Sequence, residues 1–189
     1  MTTRVLGVDP GLTRCGVGVI EVGDARKVSL VSVDTIKTSA DSELVDRIGY
    51  IGQQIEKLIK SEKPSAIAIE RVFSQQNLRS VMGVAQVSGV VLMLAHKYKI
   101  PVYLHTPSEV KAAVTGSGRA NKDQVGAMVA KILGLKAVPK PADAADSLAI
   151  AICHAWRSAA GTVENAKTLT PAQKAWQKAE QAATASKRR

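Results

Sequence analysis

Two short apolar runs that each end on a carboxylate constrain this chain more than any other feature. Val5-Leu6-Gly7-Val8 is followed by Asp9, and Ala66-Ile67-Ala68-Ile69 by Glu70. A short uninterrupted apolar run reads as a strand covered on both faces. When such a strand finishes on an acid, the charge arrives at the sheet edge, where the next loop opens. Two such strands side by side would bring Asp9 and Glu70 together. Asp143 and Asp146 stand three apart in Pro141-Ala-Asp-Ala-Ala-Asp-Ser-Leu-Ala-Ile, a spacing that puts both on one face of a helix. That face, turned to the two strand ends, would complete a cluster of four.

The remaining pattern supports a fold in which this can happen. Val5–Val8, Gly16–Val22 and Ser29–Ile36 read as strands joined by short turns, hence as an antiparallel meander. From Ser42 the period changes: Leu44, Val45, Ile48, Ile51, Ile55, Leu58 and Ile59 mark an amphipathic helix that stops before Pro64. A crossover helix there makes Ala66–Ile69 a parallel strand. Leu78–Tyr98 reads as a long helix and Val102–His105 as a strand. Thr106-Pro-Ser-Glu109 is a capping box with Pro at the first helical position. After the flexible Gly116–Ala120 loop, Asn121 caps a helix to Gly134, and Pro139 and Pro141 lead into a last helix to about Trp156. The expected fold is α/β, a mixed five-stranded sheet of a three-strand meander plus parallel strands, flanked by helices.

A chain of 189 residues with 46% apolar content supports one globular domain with a sizeable core. The net charge of +10 favours anionic partners, nucleic acid before membrane surface. No signal-peptide pattern is visible, and no apolar stretch reaches the ~20 residues of a spanning helix. The nearest, Val84 to Ala95, is broken by Gln86, Ser88 and Gly89. Cys15 and Cys153 fit no CxxC pattern and read as small apolar fillers in a reducing cytoplasm. The composition shifts after Arg157: residues 155–189 hold seven Lys/Arg against two Glu. The expected division is one folded domain over 1–157 and a basic, disordered tail over 158–189.

Each acid has a bland explanation when taken alone. Asp9 before Pro-Gly could start a turn, and Asp143 and Asp146 could complement a helix dipole. Glu70 resists this, since a carboxylate after four buried apolar residues needs a cation, a donor or a metal. Four clustered carboxylates in a basic protein are the makeup of a divalent-metal site that works on a polyanion. His96, His105 and His154 show no zinc-type spacing, and His154 reads as a packed residue.

Asp9-Pro-Gly, Ile-Glu70-Arg-Val-Phe73 and Asp143-Ala-Ala-Asp146-Ser-Leu-Ala-Ile, in this order and spacing, resemble the RuvC family of Holliday-junction resolvases over roughly residues 4–156. The resemblance implies a ribonuclease-H-like fold, a homodimer, paired nicks at a four-way DNA junction, and the RuvA–RuvB branch-migration complex as partner. It implies catalysis by Asp9, Glu70, Asp143 and Asp146 with two Mg2+ per subunit, Mn2+ being able to substitute. Some members of the family have His at the position of Asp143. It also favours Phe73 as a wedge against an unpaired base, where the residue alone could equally be core. Lys111 and Lys122 match basic positions near the scissile phosphate, and Arg79 and Arg119 are expected to contact backbone phosphates. On the helix around Met82–Leu94, the stripe Met82, Gln86, Gly89, Val90 and Met93 suits either core packing or a two-fold interface.

Two other readings compete. Gly7, Asp9, Gly11, Thr13 and Gly16 fit the first phosphate loop of actin- and sugar-kinase-type ATPases, but that architecture duplicates its domain and no second loop is found. A non-catalytic junction-binding protein would gain nothing from concentrating negative charge in its DNA groove.

Overall fold

The computed structural model describes residues 3–71 and 78–164, apart from the side chains of 78–80 and 158–164. Its elements run β1 Thr3–Asp9, β2 Arg14–Val22, β3 Val28–Lys37, α1 Leu44–Glu62, β4 Ala66–Glu70, α2 Leu78–Tyr98, β5 Val102–His105, α3 Pro107–Thr115, α4 Lys122–Ile132 and α5 Ala142–Glu164. Both expected N-caps form as full capping boxes, Thr106 with Glu109 and Asn121 with Gln124. α1 begins at Leu44, two residues after the expected Ser42. α5 runs eight residues past Trp156, and no proline interrupts that stretch.

The sheet order is β3-β2-β1-β4-β5. β1, β2 and β3 pair antiparallel as a meander, and β4 joins β1, and β5 joins β4, in parallel. This is the ribonuclease-H-like arrangement. The acid-bearing strands β1 and β4 are therefore neighbours at the centre of the sheet, in the register Val8↔Ile69 that brings Asp9 beside Glu70.

The sheet separates two apolar cores. One packs Leu6, Val8, Ile67 and Ile69 against Ile51, Ile55 and Ile59 of α1 and Val87 and Val91 of α2. The other packs Val5, Ile20 and Ala68 against α3, α4 and α5. Alternation along a strand then decides where the acids point. In β1, Leu6 and Val8 face α1 and α2, so Val5, Gly7 and Asp9 face α5. In β4, Ile67 and Ile69 face α1 and α2, so Ala68 and Glu70 face α5. Both carboxylates thus emerge on the face that α5 covers.

α2 departs from expectation. Val81–Tyr98 is long and apolar enough, by length and composition alone, to cross a bilayer. Val87, Val91 and Leu94 on its inner side are nevertheless core residues, while Met82, Leu92 and Met93 lie exposed. Of the stripe read from the sequence, then, Met82 and Met93 do not belong to the core. Cys15, Cys153 and His154 are buried, as expected.

Candidate metal and nucleic-acid site

A close approach of main chain to main chain builds this site. A Cβ added to Gly7 would lie 2.0 Å from the Ser147 carbonyl oxygen, and one added to Gly16 would lie 2.1 Å from that of Asp143. On the face under α5 the strands present Gly7, Gly16, Gly18 and Ala68, and the helix backbone settles directly onto the sheet. Asp143 and Asp146 ride on the first turns of α5, and this contact sets their height above Asp9 and Glu70. Two of the glycines that suggested a phosphate loop, Gly7 and Gly16, serve here as the seat of a helix.

Asp9, Glu70 and Asp146 line one cavity of about 340 Å3, together with Lys111 of α3 and Lys122 at the start of α4. Asp143 stands on its β2 side, over Gly16. Burial pushes Asp9 up to about 7, and repulsion from Glu70, Asp146 and Asp143 adds to the shift, against a smaller opposing effect of Lys122. Glu70 is also raised, first by burial and then by Asp146, with Lys122 and Lys111 opposing. The ammonium of Lys122 donates to Asp146 Oδ2 at 3.0 Å, and this bond holds the lysine's own pKa above the usual value.

The donor set is all carboxylate oxygen, the chemistry of a hard divalent cation. Among the described residues, no three His, Cys, Asp or Glu side chains form a ready-made metal cage. A magnesium site does not require one. That ion keeps several waters, commonly takes one or two carboxylates, and completes its shell on the substrate's phosphate. Burial of Asp9 and the repulsion that three further acids add to it are the physical sign that this cluster fits a cation.

The other expected residues divide. Arg119 is exposed and outside the cavity. Arg79 lies in the first turn of α2, its side chain outside the described part. Phe73 and residues 165–189 of the basic tail lie outside the described residues. Sequence reasoning missed Arg47 of α1, which braces the turn after Asp9. It donates to Thr13 Oγ1 at 2.9 Å and to Thr38 Oγ1 at 3.0 Å, while the Thr38 hydroxyl donates to the Leu12 carbonyl at 2.6 Å. The available signal was an arginine on the polar face of a helix otherwise spaced for core packing.

Comparison with known proteins decides the family. Residues 5–154 match the family model described as Crossover junction endodeoxyribonuclease RuvC. The chain belongs to the RuvC family. It is 57% identical over 182 residues to the RuvC of Paenarthrobacter aurescens, covering 95% of this chain and 96% of that one. To the RuvC of Streptomyces avermitilis it is 60% identical over 157 residues, covering 83% of this chain and 89% of that one. Among solved structures, Thermus thermophilus RuvC in complex with Holliday junction substrate superposes with a TM-score of 0.80 at 38% identity, covering 85% of this chain and 97% of that one. The yeast mitochondrial Holliday junction resolvase Ydc2 matches at 16% identity with a TM-score of 0.60, a likeness of fold. As a RuvC-family chain this protein is an endodeoxyribonuclease and depends on divalent metal. The ATPase reading is thereby set aside.

Proposed function

We propose that this protein resolves four-way DNA junctions by paired, magnesium-dependent nicks, in recombination and repair in the cytoplasm. The observation that carries the reading is the convergence of Asp9, Glu70 and Asp146 on one cavity with Lys111 and Lys122, Asp143 beside it, in a chain of net charge +10. Such a cluster opposes DNA unless cations enter between them. Asp9, Glu70, Asp143 and Asp146 would hold two magnesium ions, with manganese able to replace them. When bound, the metal supplies an activated water and charge stabilisation at the leaving oxygen. The protein's own part is to aim and to neutralise. The two strand ends fix Asp9 and Glu70, α5 brings two more acids over them, and Lys111 and Lys122 offer ammonium donors to the phosphate being cut.

The exposed Met82, Leu92 and Met93 on α2 support a homodimer whose two-fold axis matches that of the junction. Phe73 is assigned the role of base wedge, and Arg79 and Arg119 that of backbone contacts. The RuvA–RuvB complex is the expected partner by family. Residues 158–189 act as a basic tail that adds salt-sensitive DNA affinity.

One assay tests the reading. A synthetic four-way junction is incubated with the protein and magnesium, and cleavage is compared with that of linear duplex of the same sequence. Symmetric nicks in opposed strands of the junction alone, from a protein that sediments as a dimer, are expected. Equal cutting of both substrates would overturn it.

A further inference from the structure

A second groove lies away from the carboxylate cavity, between the edge strand β3 and α1. Its volume is about 720 Å3, and Asp34, Thr35, Lys37, Tyr50, Lys57 and Lys140 are among the residues that line it. Lys37, Lys57 and Lys140 are exposed, and none has a carboxylate within 4.0 Å among the described residues. Three ammonium groups without a carboxylate partner form a surface short of an anion. Asp34 opposes it, although one carboxylate oxygen is engaged by the Thr35 backbone N–H at 2.7 Å.

The groove opens at the same end of the sheet as the carboxylates. Thr35 pairs with Gly16, and Gly16 with Asp9, so Thr35 is two strand spacings from Asp9, about 10 Å. Lys140 precedes Asp143 by three residues, and Lys37 ends β3 opposite Arg14. Along α1, Tyr50 and Lys57 are seven residues apart, roughly 10 Å of helix. Phosphates of one strand advance about 3.4 Å per nucleotide along the duplex axis, so the groove matches a run of three to four of them. Lysines spread along a rim, without a converging arginine fork, suit a backbone better than a single bound phosphate.

We propose that this groove holds the phosphate backbone of a duplex arm of the DNA, beside but distinct from the strand being cut. The inference rests on the junction-cleaving reading above. It makes the arm's position a product of β3 and α1, elements with no metal ligands.

The test uses full-length protein with Lys37, Lys57 and Lys140 together changed to Gln, and separately Asp34→Asn. Junction affinity is measured between about 50 and 200 mM salt. Three lost phosphate contacts should reduce the slope of log affinity on log salt by about 2.7, so the triple variant loses roughly 40-fold less affinity across that range than the unmodified protein. Cleavage at limiting DNA should fall in proportion to occupancy. Asp34→Asn keeps an acceptor for the Thr35 N–H and should bind the junction severalfold tighter at low salt, a gain that misfolding cannot produce. Unchanged slope and affinity in both variants, in a protein that does cut junctions, would overturn the groove. Slower cleavage with unaltered binding would overturn it too. Failure of the unmodified protein to cut junctions would instead strike the functional reading, and the salt slopes would still be read on their own.

Discussion

Lys122 Nζ stands 3.0 Å from Asp146 Oδ2 inside the cavity that also holds Asp9 and Glu70. The pair is largely open to water on the lysine side, so it contributes little to folding. Its importance is electrostatic and local. Lys122 is a built-in cation among the acids and lowers the pKa of Asp9 and of Glu70.

Lys122→Met should therefore shift the pH dependence of cleavage. Without the ammonium, Asp9 and Glu70 hold their protons to higher pH, and the acid limb of the rate profile moves upward. Single-turnover cleavage at fixed magnesium across pH 5–9, chosen to span the Asp9 value of about 7, would show it. An unmoved limb with a uniformly lower rate would mean that Lys122 acts on the phosphate alone.

Asp9→Asn and Glu70→Gln should each abolish nicking while junction binding stays intact or tightens, since each removes a charge facing phosphate. Gel-shift and cleavage assays on the same preparations check this. Substantial residual nicking in magnesium would count against the assignment.

The raised carboxyls also predict an unusual stability profile. Asp9 moves from 3.8 to about 7 on folding, so between these values the native state binds more protons than the unfolded chain. Unfolding free energy must then fall as pH rises through that window, and the penalty is complete above about 7. Glu70 shifts in the same direction. In chelator, the melting temperature should drop between pH 5 and 8, and Asp9→Asn should recover roughly 4–8 °C at pH 8, corresponding to about 2 kcal/mol in a chain of this size. Magnesium should recover part of the same loss in the unmodified protein. A flat melting profile from pH 5 to 8 would show that the acids are not under mutual strain.

Gly16→Ala should damage the fold and the site together. Its Cβ would meet the Asp143 carbonyl oxygen at 2.1 Å, with backbone on both sides and no flexible end to give way. A destabilisation above about 3 kcal/mol is expected from overpacking of this kind. Gly49→Ala is the control, because nothing lies within 4 Å of a Cβ there. Equal melting temperatures for the two variants would contradict the close seating of α5.

Phe73→Ala separates a base wedge from a core residue. Loss of about 1–3 kcal/mol of stacking should slow junction cleavage with little change in melting temperature. A buried Phe would instead cost roughly 3–5 kcal/mol of stability. Melting and cleavage are measured on one preparation, and a large melting drop with normal specific activity would reverse the assignment.

The sequence made the sheet and its acids legible because two local signals agreed. The runs ending on Asp9 and Glu70 gave strand type, parallel pairing and face in one stroke, and the structure pairs them accordingly. Capping chemistry located the starts of α3 and α4 to the residue. What stayed hidden is set by tertiary approach. Gly7 and Gly16 look like turn or loop residues until a helix is laid on them. The bracing by Arg47 joins Thr13 and Thr38, which become neighbours only after β2 and β3 pair. The stripe on α2 was left open between core packing and an interface for the opposite reason. Its apolar residues run nearly all round the helix, so periodicity could not tell inner from outer.

The seat of α5 on Gly7 and Gly16 has a consequence for how such a site can vary. The two halves of the carboxylate cluster are indexed to each other chiefly by main chain meeting main chain. A shift of one residue along α5 would turn the acids by about 100° and move them about 1.5 Å. Insertions between Gly134 and Pro141, by contrast, would leave the joint alone. The spacing of the four carboxylates therefore has almost no mechanical tolerance, while the loop that leads into α5 can be refitted freely.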